Sequence, residues 1–136
     1  MISLAKTNVA SPDFYSSGDG TDPVAVSLLL DGSGGTISGS PATSLFVWAN
    51  DDTGTIGSYT GIGVSIVGSD TGITWTLSTD NITFTSTLSL STMDVSFTYQ
   101  ATQIYCKATA LNDGTVPTAN YTTADIKITA TSNPDA

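Results

Sequence analysis

Short runs in which apolar and polar residues alternate cover most of the chain after Pro23. Val24, Val26, Leu28 and Leu30 share one parity, and the turn-forming sequence DGSGG then ends the run. Alternation of this kind places successive side chains on opposite faces of a β-strand. Further runs lie at 43–50, 62–66, 73–77, 82–90, 95–101, 104–110 and 124–130.

The pattern predicts an all-β protein. No window has the i, i+3, i+4, i+7 spacing of an amphipathic helix, and segment 43–50 is apolar on both faces, as in a central strand. Short strands with one apolar face must pack against a second sheet, so we expect an antiparallel sandwich of about 7–9 strands without a disulfide. The expected core residues are Leu28, Trp48, Ile66, Trp75, Phe84, Phe97, Cys106, Ile126 and Ile128.

The chain has 136 residues, the length of one domain. We expect the sandwich to span residues 24–131 and a polar tail to follow at 132–136. Residues 1–23 form either a first strand followed by a loop or an arm that docks on a neighbouring protein. In the second case, deletion of residues 1–15 should leave a folded domain that no longer binds. The docking residues would be Ile2, Leu4, Phe14 and Tyr15.

Charge restricts the partners that the chain could bind. It contains twelve Asp, no Glu, three Lys, no Arg and no His, with a net charge of −9. Nucleic acids and anionic membranes both require clustered cations, so neither is expected as a partner. Basic or neutral protein surfaces remain possible partners. No apolar stretch at the start resembles a signal peptide, and the starting Met and the single cysteine predict a protein made in the cytoplasm.

Candidate catalytic groups are scarce. Nucleophilic catalysis needs a base beside the nucleophile, and the chain has no His. Cys106 shares its parity with Ile104 and Ala108, which predicts a buried and protonated thiol. Lys127 alternates with apolar neighbours and should face solvent. Most Asp residues fall in turns, where their carboxylates bind nearby amides. We therefore predict no enzymatic activity, no catalytic residues and no cofactor.

A metal site and a sugar-binding site are the remaining kinds of functional site to consider. Zinc lacks ligands in a chain with one Cys and no His, whereas Ca²⁺ prefers carboxylate and carbonyl oxygens. We favour the interpretation that the acidic groups are solvated turn residues and that the tryptophans pack in the core, so no metal site is predicted. The groups considered were Asp13/Asp19/Asp22 and Asn50/Asp51/Asp52 for calcium, and Trp48 and Trp75 for a sugar.

The order of features resembles an immunoglobulin-like domain over residues 22–131. Val24–Leu30 corresponds to the second strand, Trp48 to the tryptophan of the third, and the sequence IYCKA at 104–108 to the sixth. The resemblance departs in two places. The second strand has Leu or Val where a cysteine would pair with Cys106, and Tyr105 is adjacent to Cys106 instead of two residues before it.

A small, acidic, Thr-, Ser- and Gly-rich chain of this type is similar to accessory proteins of tailed bacteriophage virions. The resemblance implies a capsid decoration protein that binds the major capsid protein or another virion protein, in many copies on a lattice or as a homo-oligomer. Its location would be the virion. Two alternatives remain open: a structural protein of the phage tail, neck or fibre, and a carbohydrate-binding or adhesin-like module.

Overall fold

The computed structural model describes residues 1–16, 19–23, 26–27, 36–38, 43–68, 72–111, 120–121 and 125–135, and every regular element in these ranges is a β-strand. This agrees with the predicted all-β class, and Cys106, the single cysteine, is a free thiol. The strands are β1 (Ile2–Ala5), β2 (Phe14–Ser16), β3 (Asp19–Pro23), β4 (Val26–Ser27), β5 (Thr36–Ser38), β6 (Thr43–Ala49), β7 (Ile56–Val67), β8 (Ile73–Ser78), β9 (Thr87–Leu90), β10 (Met93–Asp94), β11 (Gln100–Leu111), β12 (Asn120–Tyr121) and β13 (Asp125–Pro134).

The first antiparallel sheet has the order β2-β1-β6-β11, and β5 and β8 also pair with β11. Its centre is β6, which pairs with β1 on one side and β11 on the other. Within it, Leu45 lies opposite Ile104, and Val47 lies opposite Leu4. The prediction of a central strand at 43–50 is therefore confirmed.

The second antiparallel sheet has the order β10-β7-β13-β3, and β9 also pairs with β7. Strand β13 pairs with β7 along its length, from Asp125 to Pro134. Residues 132–134, predicted as part of a polar tail, are thus the last residues of a paired strand. Strands from residues 1–23 also belong to both sheets, so the sheets extend beyond the predicted limits of 24 and 131. Strands β12 and β4 form a separate antiparallel pair.

A common hydrophobic core joins the two sheets. Of the residues predicted for it, Trp75, Cys106 and Ile126 are buried in the core cluster, and Ile66 and Ile128 are half-buried against it. Leu28 lies outside the described residues. The buried members of the cluster are Leu4, Leu45, Val47, Ala49, Tyr59, Ile62, Val64, Ile73, Trp75, Leu77, Met93, Val95, Ile104, Cys106, Ala108 and Ile126.

Two of the predicted core residues are neither fully buried nor packed against the core cluster. Phe97 is 96% exposed, and Phe84 is half-buried outside the core cluster, with the Lys107 ammonium 4.0 Å from the centre of its ring. The run at 95–101 is not one strand, because the Asp94 carboxylate accepts a hydrogen bond from the backbone N–H of Ser96 and the chain bends there. Local polar bonding has therefore overridden the alternating pattern.

A bulge in β7 keeps its apolar side chains on one face. Tyr59 and Ile62 are both buried although they are three residues apart, and the register with β13 shifts between Thr129 and Thr131. Gly61 lies inside this shift with φ +58°, a conformation that is strained for other L-residues. The extra residue reverses the parity, and it thereby holds the Tyr59 side chain in the core at the beginning of β7.

Candidate docking site

Several loops meet at the end of the molecule where β6 stops and β7 begins. The strand registers bring them together: Ile2 pairs with Ala49, Gln100 pairs with the same residue from the other side, and Asp94 pairs with Ser58. The end of β13 joins them, because the Asp135 amide donates a 2.9 Å hydrogen bond to the Thr55 carbonyl. We call this region the acidic end; it comprises Met1 and residues 50–57, 91–99 and 133–135.

The turn between β6 and β7 is organised by the Asp51 carboxylate. Its Oδ1 accepts hydrogen bonds from the backbone amides of Gly54, Thr55 and Ile56 at 2.8, 3.1 and 3.1 Å. These bonds favour the charged form, and the bond from Ile56 is the largest cause of a lowered pKa for Asp51. Asp51 therefore remains ionised while it fixes the shape of the loop.

The ammonium group of Met1 is held in the same region. It donates hydrogen bonds to the Asn50 carbonyl at 2.8 Å, to Asp52 Oδ1 at 2.7 Å and to the Tyr59 hydroxyl at 2.5 Å. The bond from the ammonium lowers the pKa of Asp52, whereas burial raises the pKa of Tyr59. One carboxylate of this end is therefore paired with a cation.

Phe97 projects from the acidic end on an ordered turn. The Val95 amide donates to the Gly57 carbonyl at 2.9 Å, and the Ser96 amide donates to Asp94 Oδ1 at 3.0 Å. The Ser96 hydroxyl lies 3.2 Å from both the Gly57 carbonyl and Asp135 Oδ1. These bonds tie Val95 and Ser96, the two residues before Phe97, to neighbouring segments, while Phe97 itself is 96% exposed. A large apolar side chain is thus presented to solvent from a well-bonded backbone.

Charge is unevenly distributed over the described residues. The acidic end carries the carboxylates of Asp51, Asp52, Asp94 and Asp135. The lysines lie elsewhere: Lys6 sits 5.2 Å from the Tyr15 ring, Lys107 lies over Phe84, and Lys127 pairs with Ser65 near the opposite end of β7. Phe97 therefore lies at the end of the molecule that carries these four carboxylates, where the Met1 ammonium is the one cation among the described residues.

The four residues predicted for docking are folded onto the molecule. Leu4 is 2% exposed, and Ile2 and Tyr15 are half-buried against the core. The Phe14 ring meets the Trp48 ring edge-on, with centroids 5.3 Å apart. Their proposed contact with a partner stays a prediction, and for Leu4 it would require β1 to leave the sheet.

Trp48 is buried, as predicted, but on the outer face of the first sheet. It is 2% exposed, and its indole N–H donates to the Val9 carbonyl at 3.0 Å. The Tyr99 ring stacks on the Trp48 ring with centroids 5.8 Å apart, in addition to the edge-on contact with Phe14. We call Phe14, Trp48 and Tyr99 the outer aromatic cluster. Since Trp75 is also buried, neither tryptophan forms an open surface for a sugar.

The calcium candidates are only partly covered by the structure. Asp51 and Asp52 are engaged by the turn amides and by Met1, and the side chains of Asp19 and Asp22 lie outside the described residues. In the ranges that the structure describes, no three His, Cys, Asp or Glu side chains are grouped as metal ligands would be. Within the same ranges, no helix is long and apolar enough to cross a membrane.

Sequence reasoning missed the exposed position of Phe97, although a signal was present. Asp94 stands two residues before Ser96, the spacing at which an Asp carboxylate bonds a backbone amide and bends the chain. The same arrangement exposes Ile82, which follows Asp80 in the turn after β8 and is 83% exposed.

Comparison with known proteins adds no assignment: no family model, curated protein or solved structure matches the chain.

Proposed function

We propose that the chain is a non-enzymatic structural protein that acts by binding another protein in a large assembly. The exposed Phe97 ring carries this proposal. Aromatic side chains dominate the binding energy of protein interfaces, and burial of a whole Phe side chain is worth about 1.5–3 kcal/mol. An ordered turn that holds such a ring in water offers this energy to a partner.

The assembly that we propose is a bacteriophage capsid, with the chain as a decoration protein bound to the outer lattice. The resemblance of its composition to accessory virion proteins supports this assignment. A capsid lattice presents many equivalent sites, so many copies would bind to one particle. The net charge of −9 keeps unbound copies apart in solution. The chain would stabilise the shell or display a surface for contact with the host.

We also propose that the two-sheet fold is an immunoglobulin-like sandwich. The adjacency of β6 and β11, which carry Trp48 and Cys106, supports this comparison. Two features depart from it. Trp48 lies on the outer face of its sheet, and β13 pairs with β7 instead of β11. The fold would then be a member with a displaced last strand, and an experimentally determined structure that covers residues 24–42 would test this.

The experiment is to search for the chain in purified particles of the phage that encodes it. Mass spectrometry would give its copy number, and electron microscopy of particles with and without the gene would locate its density. Many copies on the capsid surface are expected. Density on the tail or neck would replace the decoration role with a tail, neck or fibre role. Absence from the particles would overturn the proposal altogether.

A further inference from the structure

The acidic end combines an exposed aromatic ring with clustered charge. Phe97 is the most exposed large apolar residue described, and Asp94 and Asp135 are bonded to Ser96, the residue before it. Asp51 and Asp52 lie in the neighbouring turn. No other part of the described chain joins a fully exposed aromatic ring to several carboxylates, and the three lysines lie outside it.

We propose that the acidic end is the surface through which the chain docks, and that its partner is a basic protein surface with an apolar pocket for the Phe97 ring. This inference rests on the proposed function, and it names the docking surface and the chemistry of the partner. It also moves the contact from the N-terminal arm, one of the two interpretations of the sequence, to the turn after β10.

The geometry of the turn favours tight docking. Binding normally costs free energy because loops and side chains lose freedom, and a contact that is already ordered avoids part of this cost. The backbone directly before Phe97 is held by bonds from Val95 to Gly57 and from Ser96 to Asp94. A phenyl side chain has two torsions, so little side-chain freedom is lost when the ring enters a pocket.

Charge selects a basic partner over a second copy of the chain. Two acidic ends that face each other would bring like charges together, which disfavours self-association through this surface. A Lys- or Arg-rich rim would instead attract the carboxylates and raise the rate of encounter. Hydrogen bonds within the turns lower the pKa values of Asp51 and Asp94, so these groups stay charged in mildly acidic solution.

The test uses the full chain and capsids prepared from phage that lack its gene, with binding measured by co-sedimentation. Phe97→Ser should weaken binding roughly 30-fold or more, the loss expected for an interface hot spot. Val67→Ser is the matched control, because Val67 is 43% exposed at the opposite end of β7. It should bind as the unchanged chain does. Thermal melting verifies that each variant is folded.

The charge requirement is tested in the same assay. Asp94→Asn with Asp135→Asn keeps the bonded oxygens but removes two charges, and it should weaken binding and flatten its dependence on salt. The control, Asp13→Asn with Asp80→Asn, removes two charges elsewhere and should have little effect. Binding that is unchanged by Phe97→Ser, or equally weakened by both charge pairs, would overturn the inference alone.

Two further outcomes complete the test. Failure of the unchanged chain to bind capsids would overturn the proposed function, and the inference with it. Sedimentation equilibrium would detect a dimer that dissociates on Phe97→Ser. Such a dimer would identify a second copy as the occupant of this surface and would contradict the basic partner.

Discussion

The two faces of β6 bury their side chains in different ways. Leu45, Val47 and Ala49 point inward and are enclosed by strands of both sheets. Trp48 points outward, yet it is equally buried, with Val9, Phe14 and Tyr99 in contact with it. The inner face is covered by the packing of one sheet on another, whereas the outer face at Trp48 is covered by the N-terminal segment and Tyr99.

This difference shows what alternation can and cannot indicate. A strand with two apolar faces must have both faces covered, and this holds for 43–50. The covering element is not specified by the strand itself. Here the inner cover is the second sheet and the outer cover is the N-terminal segment together with Tyr99, so the segment that one of the two sequence interpretations made a docking arm is occupied within its own chain.

The largest expected effect comes from deletion of residues 1–15. The sequence alone suggested that the remaining domain would fold, but the deletion removes β1 and β2, takes Leu4 from the core and uncovers Trp48. We expect a chain that is unfolded or aggregated. Circular dichroism and size-exclusion chromatography would measure this. A soluble, cooperative domain after deletion would show that the outer cover is dispensable.

Leu45→Ala tests the inner face. Leu45 is fully buried in the core cluster, and removal of its side chain leaves a cavity between the sheets. The free energy of unfolding should fall by about 2–5 kcal/mol, as measured by denaturant titration. Leu88→Ala, at a half-buried position on β9, is the control and should cost less. Equal losses would indicate that β6 is not at the centre of the core.

Trp48→Phe tests the outer face, with an expected loss of about 1–2 kcal/mol in the free energy of unfolding. The variant keeps an aromatic ring but loses the indole hydrogen bond to the Val9 carbonyl. The segment above it should open more often, so trypsin should cut faster after Lys6. Cleavage after Lys107 and Lys127, which lie within β11 and β13, should change less and is the internal control. Uniform acceleration at all three lysines would contradict a local cover.

The smallest effect concerns Cys106, the single ionisable thiol of the inner face. Burial raises its pKa to about 12, whereas an unfolded thiol titrates near about 8.5. The unfolded state therefore loses this proton first, so stability is intact below about pH 8.5 and falls between there and pH 12. At pH 9.5 the free energy of unfolding should have fallen by roughly 1 kcal/mol because of this thiol.

Cys106→Ala removes this titration. The difference in the free energy of unfolding between the unchanged chain and the variant should therefore shrink as the pH rises from 7 to 9.5. A difference independent of pH would show that the thiol already exchanges with solvent in the folded protein. Labelling with a thiol reagent provides a second measurement, because buried Cys106 should react only as the core opens.

Much of the core could be predicted from the sequence. Trp75, Cys106 and Ile126 lie where the alternating runs placed them, because one parity of each run has to leave water. Phe97 could not be placed in this way. Its parity matches that of Val95, which is buried, but the hydrogen bond from Ser96 to Asp94 turns the chain between them. The surface that we propose for docking could not be predicted for the same reason.

The amino-acid pattern by itself determined the all-β class, the central strand at 43–50 and the acidic, hydroxyl-rich composition, since these depend on neighbours in the chain and on residue content. The tertiary structure alone decided which face each segment covers and which loops share an end. Those features depend on strand register and pairing between residues far apart in sequence, such as Ile2 with Ala49 and Asp94 with Ser58. Alternation has a period of two and contains no information about partners, so only folding brings the carboxylates to the end of the molecule that carries Phe97.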